Sequence, residues 1–130
     1  MERKMRYSIT AALLFLICLC SSCHTCDTVP GVRIESKSGQ YAALVEGSNC
    51  GPLLSEFDSF VKIERAYYIG GHRVWTSRKT LAGGKMSLDR LTLNWDSDEH
   101  LSVNCRCESD VFDFKANYWR NVAVTYTFSR

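Results

Sequence analysis

The chain has 130 residues, of which 45% are hydrophobic, 12% aromatic and 23% charged. This composition is typical of one small globular domain and excludes a disordered, collagen-like or coiled-coil protein. The formal net charge of +2 arises before the apolar leader, because the chain after Arg6 carries 13 basic and 13 acidic side chains. Proteins that bind nucleic acid concentrate positive charge on one surface, so we expect no nucleic-acid partner.

The first 22 residues have the three-part layout of a secretory signal peptide. Three basic residues precede an apolar run from Ile9 to Cys20, and the small residues Ser21 and Ser22 follow it. The apolar run is shorter than the ~20 residues that a membrane-spanning helix requires. The sequence therefore predicts a signal peptide over residues 1–22 and export of the rest of the chain.

Cys23 is a candidate for lipid attachment. The stretch from Leu19 to Cys23 resembles a bacterial lipobox, in which small residues fit the signal peptidase and a thiol just outside the membrane accepts a diacylglyceryl group. We expect residues 23–31 to form a leash to the membrane, and the protein to lie in the periplasm or at the outer membrane as a lipoprotein. An ordinary cleaved signal peptide without lipid is the alternative.

Four further cysteines are candidates for disulfide bonds, namely Cys26, Cys50, Cys105 and Cys107. An even number suits an exported protein in an oxidising compartment. In a continuous strand the Cα atoms of Cys105 and Cys107 would lie ~6.7 Å apart, near the upper limit for a disulfide. We therefore predict that each of them pairs with Cys26 or Cys50, in either of the two combinations.

Alternation of apolar and polar residues dominates from Val32 onward, which predicts a single β domain over residues 32–130. The stretch Tyr41–Val45 is apolar on both faces and suits a central strand, while Leu53–Phe60 has room for one helical turn. Gly70 and Gly71 suit a tight hairpin, since glycine tolerates positive φ.

The clearest hairpin joins Leu91–Trp95 to Leu101–Cys105. A five-residue loop sets Trp95 opposite Leu101 and keeps both apolar rows on one face, whereas a slip by one residue would turn a row outward. Val122–Phe128 alternates in the same way and ends the domain. Several short strands with regular turns predict an all-β fold, either a small antiparallel β-sandwich or a partly open barrel.

The residues that carry chemistry do not form a recognisable catalytic or metal-binding motif. Cys50 with His72 or His100 would suit a small Cys-dependent hydrolase, but a structural disulfide is the more common role of cysteine in an exported chain. The pair Cys105-x-Cys107 lacks the second half of a zinc site, and the acidic turn Asp96–Glu99 lacks a calcium-loop pattern. We expect no catalytic site, cofactor or metal.

Five aromatic residues could form a binding patch for glycan or protein. Cross-strand aromatic pairs in a core would explain them as well, and we favour the core. They are Tyr67, Tyr68, Trp75, Tyr118 and Trp119.

The pattern as a whole resembles a set of small exported bacterial proteins, many of them lipoprotein-like, that have no assigned function. The shared features are an Asn-Cys-Gly motif, a Leu-x-Trp…Leu-x-Val hairpin and a late V-x-V-x-Tyr strand, with Pro52-Leu53-Leu54 here in place of the usual Ala-Thr-Thr. The resemblance implies export and a β fold, and it carries over no catalytic residue. The matching positions are Ser36, Gly39, Tyr41, Ala43, Asn49, Cys50, Gly51, Val61, Ile63, Leu93, Trp95, Leu101, Val103, Trp119, Val122, Val124 and Tyr126.

These observations favour a non-enzymatic, lipid-anchored domain of the bacterial cell envelope. We expect the membrane, reached through the lipid anchor, as one partner, and an envelope protein as a possible second. The runner-up is a binding module such as an inhibitor of a cell-wall hydrolase, because Ser38-Gly39-Gln40-Tyr41 weakly resembles the inhibitory loop of bacterial lysozyme inhibitors. A small Cys-dependent hydrolase comes third.

Overall fold

The structure is a computed structural model that describes residues 26–50 and 56–130. The predicted signal peptide and Cys23 lie outside the described residues, as does the first part of the predicted helical turn Leu53–Phe60. Within the described part the chain is almost entirely β, with two short 3₁₀ turns at Leu88–Arg90 and Ser109–Val111. No helix among the described residues is long and apolar enough to cross a membrane.

Nine strands in the described residues form two sheets. The larger sheet has the order β1-β2-β3-β4-β7 and the smaller sheet has the order β5-β6-β9-β8. The strands are β1 (Asp27–Glu35), β2 (Tyr41–Cys50), β3 (Glu56–Ile69), β4 (His72–Gly84), β5 (Leu91–Ser97), β6 (His100–Cys105), β7 (Phe112–Lys115), β8 (Tyr118–Trp119) and β9 (Val122–Phe128).

The core lies between the two sheets, and every second residue of the central strands contributes to it. Because side chains alternate between the two faces of a strand, an apolar residue at every second position gives each sheet one dry face. The larger sheet supplies Tyr41, Ala43, Val45, Val61, Ile63, Leu81 and Ala82, and the smaller one supplies Leu91, Leu93, Trp95, Leu101, Val103, Val122 and Val124. The predicted all-β sandwich is confirmed, and the sheets do not close into a barrel.

Three local predictions are confirmed. Tyr41–Val45 is buried throughout and lies between two neighbouring strands. Gly70 and Gly71 have φ values of 57° and 81° and turn the chain between Ile69 and His72. The β5–β6 hairpin has the predicted register, with Trp95 opposite Leu101 and Leu91 opposite Cys105.

Three predictions about chain organisation are wrong. The domain begins earlier than residue 32, because β1 starts at Asp27 and pairs with β2 from Asn49 onward, so the last part of the predicted leash belongs to the sheet. The described end of Leu53–Phe60 is strand and not helix, since β3 begins at Glu56. The sheets are also not purely antiparallel, because β6 and β9 run parallel.

The disulfides differ from the predicted pairings. Cys26 is bonded to Cys50, and Cys105 is bonded to Cys107. The first bond follows from register: Asp27 lies opposite Asn49, so the next pair outward is the two cysteines, whose Cα atoms are 4.3 Å apart.

The second bond forms because the chain does not continue as a strand after Cys105. The chain bends at Arg106, whose N–H donates to the Arg90 carbonyl at 2.9 Å. This bend brings the Cα atoms of Cys105 and Cys107 to 5.2 Å, well inside the range for a disulfide. The prediction assumed an unbroken strand, and this assumption was the error.

Candidate binding surface at one end of the sandwich

The two ends of the sandwich differ in chemistry. One end, which we call the cysteine end, carries both disulfides, Cys26–Cys50 and Cys105–Cys107. The opposite end, which we call the turn end, carries four chain reversals, at residues 37–40, 70–71, 98–99 and 120–121.

The most prominent feature of the turn end is a two-stranded projection formed by β3 and β4. β2 pairs with β3 only as far as Arg65, whereas β3 and β4 continue to pair with each other from Tyr67 and Val74 up to Ile69 and His72. We call residues 67–74 the arm. From Phe57 to Ile69 strand β3 spans about 40 Å at the usual rise per residue, so the arm lies far from the Cys26–Cys50 bond.

The arm exposes large apolar side chains. Tyr68 and Ile69 are each 66% exposed, and Val74 is 38% exposed. Single exposed apolar residues are ordinary on a protein surface. These three lie on one short hairpin, with Tyr68 on one face and Ile69 and Val74 on the other, so both faces of the arm offer apolar surface to a partner. A two-stranded ribbon that projects beyond its sheet can enter a concave surface.

The base of the arm is held by charged and aromatic contacts. The guanidinium carbons of Arg33 and Arg73 lie 4.5 and 4.9 Å from the centroid of the Trp75 ring. Arg73 also forms two hydrogen bonds with the Glu35 carboxylate, at 2.9 and 3.2 Å. Cation–π contacts and a bidentate ion pair fix the direction in which the arm leaves the sheet.

A network of ion pairs covers the outer face of the larger sheet below the arm. Glu64 accepts hydrogen bonds from Arg33 at 2.5 Å and from Arg78 at 2.7 Å, and it is only 6% exposed. Arg78 also pairs with Glu46, which in turn binds Lys62. The network holds four strands, β1 to β4, together on the face opposite the core.

The same network sets the ionisation of Glu64. Burial alone would raise the pKa of this carboxyl, but hydrogen bonds and charges from Arg78 and Arg33 outweigh burial and hold the pKa below its usual value. Glu64 is therefore ionised at neutral pH and is paired on both sides. This arrangement is structural, since its partners are all within the sheet.

The turn that resembles an inhibitory loop lies beside the arm. The Ser38 N–H donates to Asp98 Oδ1 at 2.9 Å, which ties the β1–β2 turn to the β5–β6 turn. This hydrogen bond is the main reason that the pKa of Asp98 is lowered. Gly39 has a φ of 71°, and a Cβ there would lie 3.2 Å from Arg73 Nη1, so the turn contacts the base of the arm.

The prediction that the five aromatic residues belong to the core is wrong for Tyr67, Tyr68, Trp75 and Tyr118, whereas Trp119 packs against the core residue Tyr41. None of them is among the fully buried core residues; Tyr68 and Tyr118 are 66% and 73% exposed, and Trp119 is only partly buried against the core. Tyr67 and Tyr68 lie on the arm, and Trp75 lies at its base on the outer face of the larger sheet, against Arg33 and Arg73. Tyr118 and Trp119 form a two-residue edge strand at the same end of the sandwich.

The residues considered for catalysis do not come together. Cys50 is bonded to Cys26 and has no free thiol to act as a nucleophile. His100 lies at the turn end, where Nδ1 is 2.9 Å from Asp96 Oδ2 and Nε2 is 3.1 Å from Thr125 Oγ1. His72 lies at the tip of the arm. Across residues 26–50 and 56–130, no three His, Cys, Asp or Glu side chains gather in a way that could hold a metal ion.

Sequence reasoning missed the arm. The available signal was length: β3 has 14 residues and β4 has 13, against five or six for a typical strand, and Gly70-Gly71 joins them. Alternation alone does not reveal that such a hairpin outgrows its sheet. No family model, curated protein or solved structure matches this chain.

Proposed function

We propose that this chain is a lipid-anchored protein of the bacterial cell envelope that acts without catalysis, as a binding module on the periplasmic side of its membrane. The two disulfides indicate an oxidising, extracytoplasmic environment. The signal-peptide pattern supports export, and the lipobox-like stretch that ends at Cys23 supports lipid attachment at that residue.

The observation that carries this proposal is the position of the Cys26–Cys50 bond. Only His24 and Thr25 separate Cys23 from Cys26 in the sequence, and Cys26 is covalently fixed to β2. A lipid on Cys23 therefore holds the cysteine end of the sandwich at the bilayer surface. The turn end, with its exposed arm, then faces away from that membrane and toward other molecules.

A binding module that inhibits a cell-wall hydrolase is a specific form of this proposal. It is favoured by the turn from Ser36 to Gln40, which lies at the turn end and contacts the base of the arm through Gly39 and Arg73. A Cys-dependent hydrolase is disfavoured because the disulfide occupies the thiol of Cys50.

Metabolic labelling with radioactive palmitate tests the anchor. The full-length protein should incorporate label, Cys23→Ser should lose it, and Cys18→Ser should keep it, because Cys18 lies within the apolar run and away from the proposed cleavage point. An N-terminal peptide that begins at Cys23 with an unmodified thiol would overturn the lipoprotein proposal. Equal labelling of all three proteins would overturn it as well.

A further inference from the structure

We infer that the arm is a docking element that inserts into an acidic cleft with apolar walls on a partner protein. The inference rests on the proposed function only in its orientation, since the anchor at the opposite end turns the arm away from the membrane. The partner is defined by the chemistry that fits the arm: apolar surface for the tip and carboxylates for the basic flanks.

The apolar part of the fit comes from the tip. Tyr68 and Ile69 sit next to the Gly70–Gly71 turn and present most of their surface to solvent, while Val74 adds apolar area on the returning strand. Burying an exposed tyrosine and isoleucine in a pocket removes large apolar surfaces from water, and aromatic anchors of this kind dominate binding energies at interfaces. A flat partner surface would cover only the tip, whereas a cleft covers both strands.

The positive charge beside the arm indicates that the partner surface is negatively charged. Residues 65–76 contain Arg65, His72 and Arg73 and no acidic residue. Glu35 of β1 already compensates the charge of Arg73, so Arg65 carries most of the positive charge that a partner would meet. Arg65 lies over the Tyr67 ring at 5.1 Å, and Arg73 lies over Trp75, so both guanidinium groups line the sides of the hairpin. Carboxylates in a partner cleft complement this surface and speed association, and the effect weakens as salt is added.

Other occupants fit less well. A second copy of the chain would bring the arginines of two arms together, and like charges placed side by side oppose association. A sugar would need an open aromatic face, but two guanidinium groups already lie over Trp75. The membrane that carries the anchor lies at the other end of the molecule.

Site-specific photo-crosslinking in the native envelope tests the inference on the full-length protein. A photoreactive phenylalanine analogue replaces Tyr68 in one variant and Tyr118 in the control, because both tyrosines are exposed at the turn end but only Tyr68 lies on the arm. The expected result is an adduct with one protein from position 68 and none from position 118. Mass spectrometry should place the crosslink in a partner segment that combines apolar residues with Asp or Glu.

Charge variants at the tip separate the acidic-cleft model from simple apolar contact. His72 is exposed next to the turn, so His72→Glu and His72→Lys change charge without disturbing the core. His72→Glu should lower the crosslink yield from position 68 about tenfold, a loss of roughly 1.4 kcal/mol, and His72→Lys should keep or raise it. Equal yields from the two variants would contradict the acidic cleft.

The remaining outcomes each overturn the inference. These are an adduct with a second copy of the chain, an adduct with lipid, equal adducts from positions 68 and 118, and no adduct from position 68. The same experiment on the exported Cys23→Ser protein separates the two proposals. If the crosslink persists without the lipid, the arm inference stands even where the anchor proposal has failed.

Discussion

At the scale of single residues, the paired carboxylate of Glu64 is the clearest link between sequence and stability. Glu64 lies opposite Ala42 in the β2–β3 ladder and on the same face. Ala42 is fully buried, so other side chains cover the outer face of the larger sheet even though this face lies away from the core. Small side chains on β2 leave room for the long, paired side chains of Arg33 and Arg78 to cover the sheet.

Glu64→Gln should destabilise the fold at neutral pH by about 1–3 kcal/mol, because it removes the charge that compensates two arginines at a buried site. The pKa of Glu64 is lowered by folding, so its stabilising effect is complete above the unfolded pKa of about 4.3 and is lost as the pH falls through the folded value. Denaturant unfolding between pH 7 and pH 3 should therefore show a shallower loss of stability for Glu64→Gln than for the original protein.

Glu108→Gln is the matched control for this prediction. Glu108 also pairs with an arginine, Arg130, but the two side chains are 60% and 89% exposed. An exposed pair contributes little, so this variant should change the free energy of unfolding by less than about 1 kcal/mol. Identical pH profiles for the two variants would show that Glu64 is not held as described.

At the scale of elements, the Cys26–Cys50 bond clips the edge strand β1 to β2. Asp27–Glu35 is mostly exposed, and β1 pairs with one neighbour only, so it depends on this bond more than an inner strand would. The Cys105–Cys107 bond has a different role, since it holds a bend between residues only two apart. Because it closes a very short loop, it lowers the entropy of the unfolded chain by less and stabilises the fold less than the Cys26–Cys50 bond does.

Replacing Cys26 and Cys50 together by alanine should lower the free energy of unfolding by about 3.5 kcal/mol, the loop-entropy value for cysteines 24 residues apart. Cys26 is exposed and Cys50 only partly buried, so a core cavity adds little to this loss. Chemical denaturation under oxidising conditions measures the loss, with Cys23→Ser as a control that leaves both bonds intact. A loss below about 1 kcal/mol would contradict the claim that the Cys26–Cys50 bond stabilises the pairing of β1 with β2.

The elements also show how far the sequence predicts the fold. The register of Leu91–Trp95 against Leu101–Cys105 was predictable because a slip by one residue would expose a whole apolar row. The parallel pairing of β6 with β9 was not predictable. Alternation shows which residues of a strand face the core, but it does not show which strand lies beside it. The Cys105–Cys107 bond was missed because the bend at Arg106 depends on a hydrogen bond from a distant segment.

The candidate site was less predictable than the core. Tyr68 and Trp75 lie on the outer face of the larger sheet, the face that carries Glu64, whereas Tyr67 lies on the other face, and the sequence alone does not show which face meets the core. Sequence reasoning identified the aromatic set and the turn at Gly39 but not their common position at one end of the sandwich. That position depends on the order of strands, which local patterns do not contain.

At the scale of the whole molecule, the two ends of the sandwich differ, since one carries both disulfides and the other carries the arm. Both disulfides lie at the cysteine end, and Cys26 lies three residues after the proposed anchor at Cys23, whereas the arm lies about 40 Å away along β3. The sandwich between them is a rigid spacer, since its core is continuous from one sheet to the other. Under the proposed function, this placement presents the arm to molecules beyond the membrane that holds the anchor.

Fluorescence quenching on vesicles tests this polarity most directly. The lipidated protein is reconstituted with a small fluorescent amino acid at Thr28, an exposed position of β1 near the disulfide, or at Tyr68 on the arm. A quencher attached to lipid headgroups should strongly quench the fluorophore at position 28 and leave the one at position 68 nearly unchanged. Equal quenching at the two positions, or stronger quenching at position 68, would contradict the account.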